Sequence, residues 1–316
     1  MRLEEIGFYT LNDERAANAN GTSPMYRCEM ILTDRCNFSC LYCRGLKMMK
    51  GDIDFEVAKI ALQLWIKDRL KNVRFSGGEP TMYLHLNRLV RMCKEGGVEH
   101  IAVSTNGSAS PDTYIQLIQD GVNDFSISLD ACCSSFGDLM AGKSGYFDTI
   151  VNNISELSKL TYVTVGVVLT EDNVATTKDI IRFAHGLGVA DIRIISSAQY
   201  NKLIAGLEGL EQEIIEAHPI LKYRINNLNN GVNVRGISEN DCRRCHVVRD
   251  DSIVCGKWHF PCVIYMREGG DPIGEIGPNM RKERLEWAKN HNTFEDSICR
   301  GNCLDCLVFF NNRADL

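Results

Sequence analysis

The chain has 316 residues, a formal net charge of −6, and a composition that is 44% hydrophobic and 24% charged. That balance supplies a substantial core and excludes a disordered polymer, and the acidic surplus, with a pI near 5.7, argues against a surface that neutralises phosphate backbone in bulk. The sequence does not open on a basic region followed by an apolar run, and no apolar stretch approaches the roughly 18 residues of a membrane span, so a cytoplasmic location is expected.

In chain order, strand-like runs alternate with helix-like ones from residue 26. The spacing predicts strands over Tyr26–Thr33, Val73–Ser76, His100–Thr105, Asp124–Leu129, Tyr162–Leu169 and Asp191–Ser196. Between them it predicts helices over Phe55–Leu70, Leu84–Glu95, Asp112–Asp120, Gly145–Leu160 and Val174–Leu187. Val57, Ile60, Ala61, Leu64 and Trp65, for example, recur at the helical period. Repeated βαβ units dictate an α/β fold with a parallel sheet and right-handed crossovers. After residue 200 the alternation gives way to a helical stretch, Ile204–Ile220, and short strand-like pieces at Val232–Val234 and Trp258–Met266. The expected organisation is an N-terminal extension (1–25), a six-unit βα core (26–200), a connecting helical segment (201–235) and a cysteine-rich module (236–316) held by metal more than by a large core.

Fourteen cysteines in such a chain read as reduced thiols or metal ligands before disulfides. Cys28 and Cys93 lie in apolar periodic segments and are assigned to the core. Cys36, Cys40 and Cys43 form a CxxxCxxC loop directly after the first predicted strand. Three thiolates at this spacing can hold one face of a cubane iron–sulfur cluster and leave its fourth iron without a protein ligand, whereas a structural zinc site takes four protein ligands.

The later strand ends carry unusual residues, and ligands of parallel sheets gather there. They are Ser76-Gly-Gly-Glu-Pro80, Ser104-Thr-Asn-Gly107, Ser128-Leu-Asp130 and Thr170-Glu-Asp-Asn173. The cysteine loop, with Tyr42 before its last cysteine, resembles the signature of the radical S-adenosylmethionine (SAM) superfamily, and the order of the strand-end motifs extends that resemblance. It implies a partial (β/α)6 barrel whose 4Fe-4S cluster, on Cys36, Cys40 and Cys43, binds SAM at the open iron. Gly77, Gly78 and Glu79 would receive the SAM ammonium, and Tyr42, Ser104, Asn106, Ser128, Asp130 and Asn173 would contact the rest of the cofactor. One electron, from a flavodoxin- or ferredoxin-type donor, would cleave the sulfonium to a 5′-deoxyadenosyl radical. In one stretch, Gly137–Asp148, peptide-modifying relatives often carry His-Asp and Arg-Gly, and here Gly137 and Ala141 stand at the His and Arg places, with Lys143 nearby.

The C-terminal cysteines are Cys242, Cys245, Cys255, Cys262, Cys299, Cys303 and Cys306. Two CxxC pairs alone would allow a zinc ribbon. The fuller pattern, with Gly256 and Pro261-Cys262 in a hairpin, is similar to the twitch relative of the SPASM domain, which implies an auxiliary 4Fe-4S cluster. The expected ligands are Cys245, Cys262, Cys303 and Cys306, with Cys242 as alternative to Cys245. Cys255 and Cys299 are then spare, and with Cys132 and Cys133 they are the candidate hydrogen donors to a substrate radical. His246, His259 and His291 read as hydrogen-bonded residues before metal ligands, and Arg243, Arg244 and Arg249 as a solvated basic turn.

The expected activity is hydrogen abstraction from an unactivated carbon, ending in dehydrogenation, epimerisation or isomerisation. About 25 residues precede the first strand, too few for a separate peptide-recognition domain. The expected substrate is therefore compact: a sugar, an aminocyclitol, a modified nucleoside or an amino-acid conjugate. Maturation of a short ribosomal peptide is the alternative. A non-catalytic iron–sulfur or zinc protein, for binding or electron transfer, is the rival from another class.

Overall fold

The computed structural model describes residues 13–197 and 207–314. The chain divides into two compact units, one made of residues up to 35, 45–102 and 235 onward, the other of residues 36–44 and 103–234. The strands are β1 (Arg27–Ile31), β2 (Asn72–Ser76), β3 (His100–Thr105), β4 (Asp124–Ser128), β5 (Tyr162–Leu169), β6 (Asp191–Ser196), β7 (Asp251–Cys255), β8 (Trp258–Phe260) and β9 (Gly274–Glu275). All six predicted strands form, and the chain passes from the first unit to the second within β3.

In the first unit β1 lies between two parallel partners. Cys28 pairs with Val73 of β2 on one side and with Ser252 of β7 on the other. Met30, Ile31, Val73, Phe75, Ile253 and Val254 are all buried, the near-continuous apolar pattern of strands covered on both faces. Strands β7, β8 and β9 continue as an antiparallel meander. The helix Phe55–Lys67 is N-capped by Asp54, whose carboxylate accepts from Glu56 N at 2.9 Å and Val57 N at 3.1 Å. Its buried face is Ala58, Ala61, Leu62 and Trp65, and Ile60 is 45% exposed. The expected stripe is thus rotated, because two alanines let the helix backbone approach its neighbours more closely than Ile60 would.

The chain beyond residue 230 departs from expectation. Val232–Val234 forms no strand, and only an isolated bridge joins Arg235 to Leu304. The predicted strand Trp258–Met266 stops at Phe260, because Pro261 has no N–H to give and Cys262 caps the helix Val263–Arg267. Strand β7 was not foreseen.

In the second unit β4, β5 and β6 are parallel, with Asp124 opposite Tyr162 and Thr164 opposite Asp191. The predicted Ile204–Ile220 helix begins outside the described residues. Its described part is two helices, Gln212–Ala217 and Pro219–Asn229, the second opened by a proline whose missing N–H costs a helix nothing at that position. Asp191 accepts from Ile220 N at 3.0 and 3.1 Å and from Ile192 N at 2.8 Å, tying this helix to β6.

Burial raises the Asp191 carboxyl to about 6 despite these donors. A raised native pKa means that the native state holds the proton more tightly than the unfolded chain. This contribution is therefore fully present below the ordinary carboxylate value and is lost as pH rises through about 6. Between about pH 4 and pH 7 the wild type should lose about 2–3 kcal/mol more stability than Asp191→Asn. Parallel urea-melt profiles for the two proteins would disprove this.

Candidate cofactor site

The cysteine loop, residues 36–44, is pinned almost residue by residue within the second unit. Ser39 N donates to Ala141 O at 2.9 Å and Leu41 N to Met140 O at 3.3 Å, both at the end of the helix Ser134–Ala141. Gly142 follows in the left-handed region at φ 60°, and a Cβ there would meet Ser39 O at 2.4 Å. Phe38 packs edge-on against Tyr146 at 5.2 Å. At the end of β3, Asn106 Nδ2 donates to Asn37 Oδ1 at 2.8 Å and to Cys36 Sγ at 3.8 Å, while Asn37 Nδ2 donates to Ser108 Oγ at 2.8 Å. At the other end of the loop, Tyr42 OH donates to Asp130 Oδ2 at 2.6 Å.

Cys36 and Cys43 are exposed and Cys40 is half-buried. The Cys40 thiol is pushed up to about 12, chiefly by burial and then by Asp130, Cys36 and Cys43. Among the described residues the only three potential ligand atoms within 4.8 Å of one another are those of His291, Asp296 and Cys299. The loop thiols therefore sit near one another without the contraction of a single-ion cage, whose sulfurs would be roughly 3.8 Å apart around zinc. Three thiolates are a donor set that an iron–sulfur cluster takes, one on each of three irons.

The other strand ends divide by their partners. Asp130 is lifted to about 6 by burial, and both carboxylate oxygens are engaged, Oδ2 by Tyr42 and Oδ1 by Val168 N at 2.7 Å. Asn173, fully buried, accepts from Thr170 N at 2.8 Å and donates to Asp130 O at 3.1 Å and Val168 O at 2.9 Å. These two residues hold the loop and β5. Ser128, by contrast, is exposed at the end of β4, and Ser104 is half-buried on β3. Cys132 is half-buried and Cys133 exposed just beyond Asp130. Gly137 lies under Phe147, where a Cβ would meet the ring at 2.2 Å, so this packing excludes a histidine at that place.

In the first unit the Gly77-Gly78-Glu79 turn follows β2 and is bonded to the segment that leads into the cysteine loop. Gly78 N donates to Thr33 O at 2.7 Å and Glu79 N to Arg35 O at 2.8 Å. A Cβ on Gly77 would meet Thr33 O at 2.5 Å, and one on Gly78 would meet Arg35 O at 2.3 Å. Both glycines are thus demanded by backbone-to-backbone approach. The Glu79 side chain is buried, with Oε1 accepting from Thr81 N at 3.1 Å and Thr81 Oγ1 at 2.7 Å. Gly78→Ala should destabilise the protein by about 2–4 kcal/mol. A thermal melt within about 0.5 kcal/mol of wild type would mean that the turn has room.

A second thiol group lies in the first unit. Cys303 is raised by burial and then by Cys245, Cys262, Cys299 and Cys306, and Cys299 by burial and then by Cys262 and Cys245. Burial and then Cys262 hold Cys245 up at about 12. Four sulfurs from three segments, Cys245, Cys262, Cys299 and Cys303, thus act on one another. Cys306 is buried beside Cys303, while Cys242 Sγ lies on its own turn, accepting from Arg244 N at 3.3 Å. Cys255 is buried in β7. Cys299 also has His291 Nε2 at 3.7 Å, and His291 stacks on Trp287 at 4.0 Å. His259 is buried against Glu283 at 2.9 Å, Arg249 donates to Ala19 O at 2.9 Å, and Arg243 lies over the Phe294 ring. The sequence did not single out the tie of Asp130 to Tyr42 or the place of Cys299 among these thiols.

These features define an α/β protein with parallel strands and a three-thiol loop whose donors suit an iron–sulfur cluster. Residues 30–184 match the family model described as Radical SAM superfamily. That segment is a radical SAM domain, of the family whose cofactors are a 4Fe-4S cluster and SAM. A relative from Sulfurisphaera tokodaii named "Probable GTP 3',8-cyclase" is 25% identical over 216 residues, 62% of this chain and 69% of that protein. The "GTP 3',8-cyclase" of Mesorhizobium japonicum is 29% identical over 185 residues, and the match spans only 55% of either length. Among solved structures, Streptococcus suis SuiB bound to S-adenosylmethionine superposes with a TM-score of 0.57 at 14% identity, over 85% of this chain and 66% of that one. Native anSMEcpe with bound AdoMet superposes with a TM-score of 0.57 at 15% identity, over 86% of this chain and 81% of that one. At these identities the two structures speak to fold alone. Among the described residues no helix is long and apolar enough to cross a membrane.

Proposed function

We propose that this chain binds SAM at a cluster on Cys36, Cys40 and Cys43 and oxidises an unactivated carbon of a compact substrate, with an auxiliary cluster on Cys245, Cys262, Cys299 and Cys303. When bound, the reduced loop cluster supplies the one electron that splits the SAM sulfonium and so provides the hydrogen-abstracting species. The observation that carries the reading is the loop itself: backbone and neighbouring side chains hold it from Asn37 to Tyr42, and two of its three cysteines are exposed.

Each residue has a stated task. Asn106 donates toward Cys36, Tyr42 locked on Asp130 fixes the backbone before Cys43, and Gly142 admits Ser39. Gly77, Gly78 and Glu79 are assigned by their motif to the SAM ammonium, and exposed Ser128 and half-buried Ser104 to the rest of that cofactor. In the auxiliary group four thiolates would match four irons and leave none open to a substrate donor. This favours electron acceptance, and therefore dehydrogenation, over anchoring. It also makes Cys299 a ligand in place of Cys306.

The relatives named for GTP cyclisation make a nucleoside or nucleotide the first substrate class to test. After anaerobic reconstitution, with a low-potential reductant or a flavodoxin-type donor, the protein should form 5′-deoxyadenosine and methionine from SAM. A deuterated substrate should pass its label into 5′-deoxyadenosine. No 5′-deoxyadenosine from protein with its loop cluster intact would end the enzymatic reading and leave the electron-transfer alternative.

A further inference from the structure

Arg284, on the helix Met280–Asn290, is 2% exposed. Its Nη1 donates to Phe260 O at 2.8 Å, two residues before Cys262. Nε and Nη2 are buried without a hydrogen-bond partner. A guanidinium held out of water with two idle donors is strongly disfavoured unless an anion answers it, and burial accordingly lowers Arg284 to about 10.

Four acidic groups lie close enough to act on it: Cys28, Asp251, Cys245 and Asp250. Both carboxylates have other cations: Arg15 forks Asp250 and also reaches Asp251, and Arg27 Nε lies 3.2 Å from Asp251 Oδ2, although that oxygen accepts no hydrogen bond. Cys28 is in the fully buried middle of β1, where burial raises its thiol far up and keeps it neutral. Cys245 is the third of these groups in strength, and it belongs to the four-thiol group. The helix bearing Arg284 packs on the turn His246–Arg249 that Cys245 caps, and Arg284 also holds the carbonyl just ahead of Cys262. His259 faces the same guanidinium and stays neutral, chiefly through burial and then through Arg284.

We propose that Arg284 is the counter-charge of the auxiliary centre, its two free donors answering the negative charge that iron and sulfide bring to the Cys245 side and raising that centre's reduction potential. The inference rests on the reading of the four thiols as a cluster site. Positive charge and N–H···S donors favour the reduced, more anionic state, which suits a centre that accepts an electron.

The test uses full-length protein in which Cys36, Cys40 and Cys43 are all alanine, so that only the auxiliary centre is reconstituted. Arg284→Gln should keep about four irons per chain but move the midpoint to more negative potential. At a fixed potential this lowers the ratio of reduced to oxidised cluster roughly tenfold. Arg284→Lys, which keeps the charge without the fork, should fall between. Should Arg284→Gln fail to fold, pulsed EPR on the otherwise unchanged protein grown with guanidino-15N arginine gives the answer. The reduced cluster should couple to one arginine's nitrogens, and the coupling should vanish in Arg284→Lys. No iron in the parent protein would sink the cluster reading and the inference together. Iron bound with an unshifted midpoint, or with no arginine coupling, would overturn the inference alone.

Discussion

Cys40→Ala should bring 5′-deoxyadenosine formation down to the level of the uncatalysed reaction and remove about four irons per chain, while Cys132→Ala should keep the full iron content. Cys40 is the middle thiol of the loop, half-buried, with Cys36, Cys43 and Asp130 all acting on it. Taking it away leaves two outer sulfurs that cannot hold a cubane face. The backbone of the loop should survive, because its anchors are Ser39, Leu41, Asn37 and Tyr42, none of which needs the sulfur. Circular dichroism should therefore be unchanged. Retained iron and activity in Cys40→Ala would place the cluster elsewhere.

The second large effect is expected at Cys299. Cys299→Ala should cost the auxiliary centre its cluster, about four irons, with a lowered melting temperature because metal binding here is coupled to the order of three segments. Cys242→Ala should leave iron unchanged, since that sulfur lies on its own turn. Cys306→Ala is the informative comparison. It is buried beside Cys303. Iron lost with Cys306→Ala and kept with Cys299→Ala would reverse the assignment and return Cys299 to the pool of free thiols.

The parallel core was legible because period and punctuation agree. Runs such as Tyr162–Leu169 are mostly apolar, and glycines or polar residues separate them from helical stretches. Strand β7 was not legible, since Asp251-Ser-Ile-Val-Cys255 has only a short apolar centre and the Cys242–Cys245 turn separates it from the helix Pro219–Asn229. The three-thiol loop could be read from spacing because its residues are contiguous. The second thiol group could not be read so fully, because Cys245, Cys262, Cys299 and Cys303 come from three segments whose meeting depends on the β7–β8 turn and two short helices. Asp130 and Asn173 show a further limit: spacing marks a polar strand end, but whether it faces a ligand or ties down its neighbours is decided by contacts distant in sequence.

The position of β1 between β2 and β7 bears on how this polypeptide could be shortened. Removing the last eighty or so residues would not release a smaller working fragment. It would strip a neighbour from Met30 and Ile31 and turn an interior ribbon into a bare, greasy border, the kind of edge that recruits other chains and precipitates.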